Sequence, residues 1–221
     1  MNYKIHTVPI IDAYKTDCEC PLCEIERALE QKLIGDYLNE AVMVPEYRVQ
    51  VNKKGFCTKH FAMLEAGDNI CGVALQAQTR MQTVVSELKK PTDAKKAAKE
   101  AARLRSALST CVICEEIDEI MERYYRTTVE LFSREAGFEL LFRRSKGHCL
   151  RHYAALAEAS KYAGKRATTF LDVLYDLQIA AYARLESELQ GFIDKFDSRK
   201  CNDRPWGNSK DAVPRVIQKI R

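Results

Sequence analysis

Two stretches, Lys54-Gly55-Phe56-Cys57-Thr58-Lys59-His60-Phe61-Ala62-Met63-Leu64 and Lys146-Gly147-His148-Cys149-Leu150-Arg151-His152-Tyr153-Ala154-Ala155-Leu156, decide how this chain is read. Each ends a second motif's interval: Cys20-Pro21-Leu22-Cys23 stands 33 residues before the first Cys-x-x-His, and Cys111-Val112-Ile113-Cys114 stands 34 residues before the second. The two copies are offset by 91 to 92 residues, and acidic-apolar stretches, Glu24-Ile25-Glu26 and Glu115-Glu116-Ile117, follow each Cys-x-x-Cys. Agreement of order, spacing and flanks is the mark of an internal duplication.

The periodicity around these anchors is helical. Ile25, Leu29, Leu33, Ile34, Leu38 and Val42 recur at three- and four-residue spacing, an amphipathic helix whose counterpart in the second copy carries Ile117, Ile120, Met121, Tyr124, Val129 and Leu131. Gly55 and Gly147 break the chain, which predicts short helices starting at about Cys57 and Cys149 with the histidine one turn in. Longer helices are expected over roughly 70–89 and 168–196, the latter with a stripe from Phe170 to Phe196. Strand signal is confined to Tyr47–Val51 and Ile5–Ile11. The fold class is mostly α: a duplicated helical unit, each copy clamped by a Cys-x-x-Cys…Cys-x-x-His zinc site.

Paired thiolates and imidazole are the donors that zinc takes up in tetrahedral sites, whereas magnesium and calcium require oxygen. A ligand pair at a helix start also faces backbone amides and the positive end of the helix dipole, which stabilise thiolate. The expected sites are Cys20, Cys23, Cys57 and His60 in the first copy, and Cys111, Cys114, Cys149 and His152 in the second. That gives two zinc ions per chain, with an iron–sulfur centre as the lesser alternative. Cys18 competes with Cys20 and His148 with His152, but neither has a counterpart in the other copy. Cys71 is expected in the core, Cys201 as a free thiol, and His6 without a role.

Composition narrows the class. The chain has 221 residues, 46% hydrophobic and 30% charged, with a formal charge of +4, ordinary for a globular protein and weak as a signal for nucleic acid. Met1–Asp17 has no signal-peptide core and no apolar run reaches membrane-spanning length, so a cytoplasmic protein is expected, where nine cysteines favour metal over disulfides. The domain reading is a first repeat over 1–90, an Ala/Lys-rich helical linker over 91–109, a second repeat over 110–200, and a C-terminal arm over 201–221 whose short helix docks back on the body.

Through Cys20, Cys23, Gly55 to His60, Cys111, Cys114, Gly147 to His152 and Pro205-Trp206, the chain resembles a family of uncharacterised bacterial proteins, many from anaerobes. These carry paired CPLC…GFCxxH motifs and a Pro-Trp near the C-terminus. The second copy departs with Cys-Val-Ile-Cys and Gly-His-Cys. The resemblance implies metal binding and the helical fold but supplies no mechanism.

Four protein ligands per site leave no open position for catalysis, and no phosphate loop, HExxH or serine elbow is present. The expected function is a non-enzymatic scaffold or adaptor stabilised by zinc, with protein partners and a possible homo-oligomer. The alternative is a thiol-based redox or metal sensor that releases zinc on oxidation. Nucleic-acid binding ranks lower: residues 89–105 hold seven basic and two acidic residues, a pattern equally that of a solvated face. A thioredoxin-like dithiol enzyme would need a β–α framework that the pattern does not offer.

Overall fold

The computed structural model describes residues 7–197 and 205–221, and among them every regular element is helical. The chain forms two compact units. One takes the residues up to Glu26 and those from Met121 onward; the other is Arg27–Ile120. The Ala/Lys-rich segment over 91–109 is therefore not where the chain divides. It lies inside the second unit, as helix α7 below.

The helix α2 (Pro21–Leu38) begins with proline at its first turn, where the missing N–H is one that the helix leaves unpaired anyway. Its residues from Arg27 belong to the central unit, with α3 (Glu40–Met43), α4 (Pro45–Lys54), α5 (Thr58–Glu65), α6 (Ile70–Glu87) and α7 (Ala94–Leu108). Leu33, Ile34, Tyr37, Leu38, Val51, Phe56 and Leu64 form its core. Phe56 meets Tyr37 and Phe61 edge-on, with ring centroids 5.5 and 5.3 Å apart, the geometry that aromatic quadrupoles favour. The Asn69 side chain caps α6 by accepting from Gly72 N–H, and its amide donates to the Leu38 carbonyl at 2.7 Å.

Two expectations fail in this unit. The segment Tyr47–Val51, read as strand, lies within α4. Pro45 opens that helix, Glu46 sits in its first turn and Lys53 and Lys54 in its last, all favourable to the helix dipole. Tyr47 and Val51 are also one helical turn apart, so alternation was the wrong period. Cys71 is exposed, because α6 buries Gly72 and Gln76 instead; the Gln76 amide donates to the Tyr37 carbonyl at 2.8 Å. The α7 helix buries none of its residues, consistent with a solvated face.

The other unit contains α1 (Thr7–Lys15), the start of α2, the end of α8 (Val112–Arg134), α9 (Ala136–Arg144), α10 (Leu150–Glu158), a 3-10 segment (Ala159–Arg166), α11 (Ala167–Asp194) and α12 (Ala212–Ile220). Ile10 and Ile11, part of the second strand signal, lie in α1; Ile5 and His6 fall outside the described residues. An aromatic core joins the unit. Phe132, Phe142 and Phe170 contact one another at 5.1–5.6 Å, and Tyr14 stacks on Phe142 at 5.5 Å. Each fully buried phenylalanine contributes about 1.5–3 kcal/mol. The α11 stripe is buried from Phe170 through Leu174 and Ala181 to Leu185, then emerges: Phe196 is 73% exposed. The α12 helix packs against α11 and buries Ala212 and Lys219, while Ile217 and Ile220 remain exposed. Cys201 lies outside the described residues.

Candidate metal centres

Both Cys-x-x-His motifs fold alike. Gly55 and Gly147 take positive φ, 71° and 80°, a region open to glycine and strained for other residues. Cys57 and Cys149 then stand as N-caps of α5 and α10, with ψ of 166° and 160°, so each histidine falls one turn inside its helix. The Cys-x-x-Cys motifs close by Cys23 N–H donating to the Cys20 carbonyl at 3.1 Å, and by Glu115 N–H donating to that of Cys111 at 3.1 Å.

The structure brings the eight expected residues into two groups, but not the two drawn from sequence order. Cys20 and Cys23 gather with Cys149 and His152; Cys57 and His60 gather with Cys111 and Cys114. Each copy's Cys-x-x-Cys therefore meets the other copy's Cys-x-x-His, and the expectation that each copy is clamped by its own site is corrected. The reason is the rigidity of the intervening helices. From Cys23 to Leu38, α2 carries the chain about 22 Å, and the 10 residues of α4 span only about 15 Å. In the second copy the 23 residues of α8 and the 9 of α9 likewise stand between Cys111 and Cys149.

In the first group, which we call site A, the Sγ atoms of Cys20, Cys23 and Cys149 lie 3.4, 3.4 and 3.2 Å from His152 Nδ1, and Cys23 Sγ lies 3.6 Å from Cys149 Sγ. In site B, Cys57, Cys111 and Cys114 lie 3.3, 3.1 and 3.4 Å from His60 Nδ1, and Cys57 and Cys114 are 3.9 Å apart. A tetrahedral ion with bonds of about 2.3 Å to sulfur and about 2.0–2.1 Å to nitrogen has edges of about 3.8 Å and about 3.5 Å. The observed edges are close to these values, and all four donors of each group lie within 4.8 Å of one another, a spacing that could hold one such ion. An iron–sulfur cluster spreads its ligands over several irons and needs a wider set.

Each histidine turns its other nitrogen to a carboxylate of α2. His60 Nε2 lies 2.9 Å from Glu30, which also binds Lys59 at 2.5 Å; His152 Nε2 lies 3.6 Å from Glu26, which pairs with Arg151. The 2.9 Å contact of Glu30 is a hydrogen bond of the kind that fixes the ring and tautomer of a metal-binding histidine, whereas Glu26, at 3.6 Å, stands beyond hydrogen-bond reach of His152. Glu26 and Glu30 were missed in sequence. Their signal was the basic residue before each histidine, Lys59 and Arg151, together with two glutamates one turn apart on α2.

The thiols divide the protons unevenly. Burial holds the Cys20 thiol well above its ordinary range, and the hydrogen bond with Cys149 pushes Cys23 up to about 11; hydrogen bonds from Cys20 and Cys23 bring Cys149 down. In site B, burial works against ionisation of Cys111, but hydrogen bonds from His60 and the backbone bring it to about 6, while burial and the neighbouring Cys111 raise Cys114. Cys149 and Cys111 are thus the thiols pushed toward ionisation, and metal binding would require the other thiols to give up their protons as well. The sites also differ in access. All four residues of site A are buried, whereas Cys57 and Cys114 of site B are half-exposed.

The rival ligands are elsewhere. The Cys18 thiol faces the Ala13 carbonyl at 4.0 Å, and burial pushes it up to about 11. His148 is buried against Tyr14 and Phe142, with Nε2 hydrogen-bonded to the Tyr14 hydroxyl at 2.7 Å; burial lowers its pKa to about 3.

Fold and site together define an all-helical protein with two Cys3His groups able to hold metal. The chain belongs to a family of unknown function, DUF6062, whose model matches residues 1–221. Comparison with curated proteins and with solved structures returned no match. Among the described residues, no helix is long and apolar enough to cross a membrane.

Proposed function

We propose that the protein is a cytoplasmic, non-enzymatic scaffold or adaptor whose helices are fixed by two structural zinc ions. The observation that carries this reading is the closure of both groups: four protein donors gather at each, and a catalytic zinc needs one corner for water or substrate. Sulfur-rich ligation at single-ion spacing supports zinc among the divalent metals. The exposed Ile70, Met81, Val85 and Leu88 of the α6 segment supply apolar surface of the kind protein partners use. Metal analysis of the anaerobically purified chain tests the reading: two zinc ions per chain are expected, and an iron-containing brown protein, or one without metal, refutes it.

A second reading, a redox sensor, is favoured at site B by the half-exposed Cys57 and Cys114, whose sulfurs are 3.9 Å apart. A peroxide would oxidise these two thiolates to one disulfide, itself be reduced to water, and free the zinc. Peroxide treatment followed with a zinc indicator separates the readings. Release of one zinc per chain, reversed by thiol, favours the sensor; retention of both favours the scaffold.

A further inference from the structure

The two sites hold their knuckles together by different means. In site B the segments leading into the motifs bond directly: Thr110 Oγ1 donates to the Lys54 carbonyl at 2.7 Å and Val112 N–H donates to the Gly55 carbonyl at 3.0 Å. The matching residues in site A are Glu19, Pro21, Lys146 and Gly147. Proline has no N–H, so the bond made by Val112 has no equivalent there, and glutamate replaces the threonine hydroxyl. Lys219 of α12 stands in the gap. Its side chain is fully buried, and its ammonium donates to the carbonyls of both Glu19 and Lys146, the residues leading into Cys20 and into Gly147-His148-Cys149.

The charge of this tie is poorly matched by its surroundings. Among the described residues, the carboxylate that Lys219 approaches is Glu19, at 3.5 Å, and Glu19 is already bound by Arg184 at 2.6 Å and Arg215 at 3.3 Å. Burying an ammonium without a carboxylate of its own is costly. Three thiolates around a divalent ion carry one net negative charge, which the loaded site would place beside this cation.

We propose that Lys219 is a positioning residue of site A: it ties the Cys-x-x-Cys and Cys-x-x-His knuckles together and offsets the charge of the loaded site, so that metal occupancy and docking of the C-terminal helix depend on each other. The inference rests on the metal-binding reading and extends it to a residue far from either motif in sequence. Linkage requires the dependence to run both ways.

The test uses the full chain loaded with cadmium-113, each site giving its own resonance, in the wild type and in Lys219→Met, which keeps the apolar stem. One resonance is expected to shift and to be lost to chelator about 10- to 100-fold more readily, as for other groups that orient metal ligands, while the other is unchanged. Adding Pro21→Val, which restores the N–H that site B uses, should recover part of the loss. Two unchanged resonances in Lys219→Met, or a loss that Pro21→Val leaves untouched, overturn the inference. Fewer than two resonances in the wild type would instead overturn the metal reading itself. If Lys219→Met does not fold, the wild type serves: Trp206, the single tryptophan, stands beside Phe192 at 5.7 Å just before α12. Metal withdrawal is expected to shift its emission and zinc to reverse the shift; emission indifferent to site A occupancy refutes the dependence.

Discussion

The crossed ligand sets make a prediction that double substitution resolves. Changing Cys23 to Ser and His152 to Ala removes two donors from one site, since Cys23 Sγ and His152 Nδ1 lie 3.4 Å apart. The doubly substituted chain should therefore keep one zinc of two. Changing Cys23 and His60 removes one donor from each site, and that chain should keep none, or two weakly held ions. Were each copy to bind its own metal, the two outcomes would be interchanged. The energetic counterpart follows from mass action: at free zinc one hundredfold above the dissociation constant, each site stabilises the folded state by about 2.7 kcal/mol. In a unit of this size that corresponds to a thermal shift of roughly 10 °C. The assay is metal stoichiometry by emission spectrometry with calorimetry of the same samples. One zinc in the Cys23/His60 pair and none in the Cys23/His152 pair would refute the reasoning.

Further expectations concern the supporting residues. Replacing Glu30 with Gln should weaken site B about 10- to 100-fold in chelator competition and leave site A unchanged, while replacing Glu26 with Gln, at 3.6 Å from His152, should weaken site A by less than that. Gly55→Ala should cost about 1–3 kcal/mol, because φ of 71° is strained for alanine, and should weaken site B; chemical denaturation and metal titration check both effects. Phe142→Ala should cost about 3–5 kcal/mol through the cavity left among Tyr14, Phe132 and Phe170, read as a loss of denaturation midpoint with both metals retained at saturating zinc.

The donors were legible in the sequence because duplication printed the same chemistry twice: Cys57 and Cys149 recur with the same glycine before and histidine after, and both become helix caps. Their partners were not legible, since nothing in a spacing of 33 or 34 residues states whether the chain between is a loop that returns or a rod that does not. The helical reading of α2 and α8 held enough to raise that question, because an 18-residue helix cannot bring its ends together. Exposure was harder still. Cys71 looks like a core residue on α6, yet the helix is seated by a capping asparagine, a small glycine and the Gln76 amide. Lys219 gave no signal at all, for a lysine between exposed isoleucines reads as solvent-facing, and only the two carbonyls it meets reveal its use.

The crossing of ligands also sets an order in time. All donors of site B, Cys57 to Cys114, leave the ribosome before any helix of the second copy is complete, whereas site A must hold Cys20 and Cys23 until His152 arrives. That interval is 38 residues (152 − 114) beyond the last donor of site B, about 2–8 s at ordinary rates of synthesis. The middle of the chain can thus be sealed while its beginning still waits for its end.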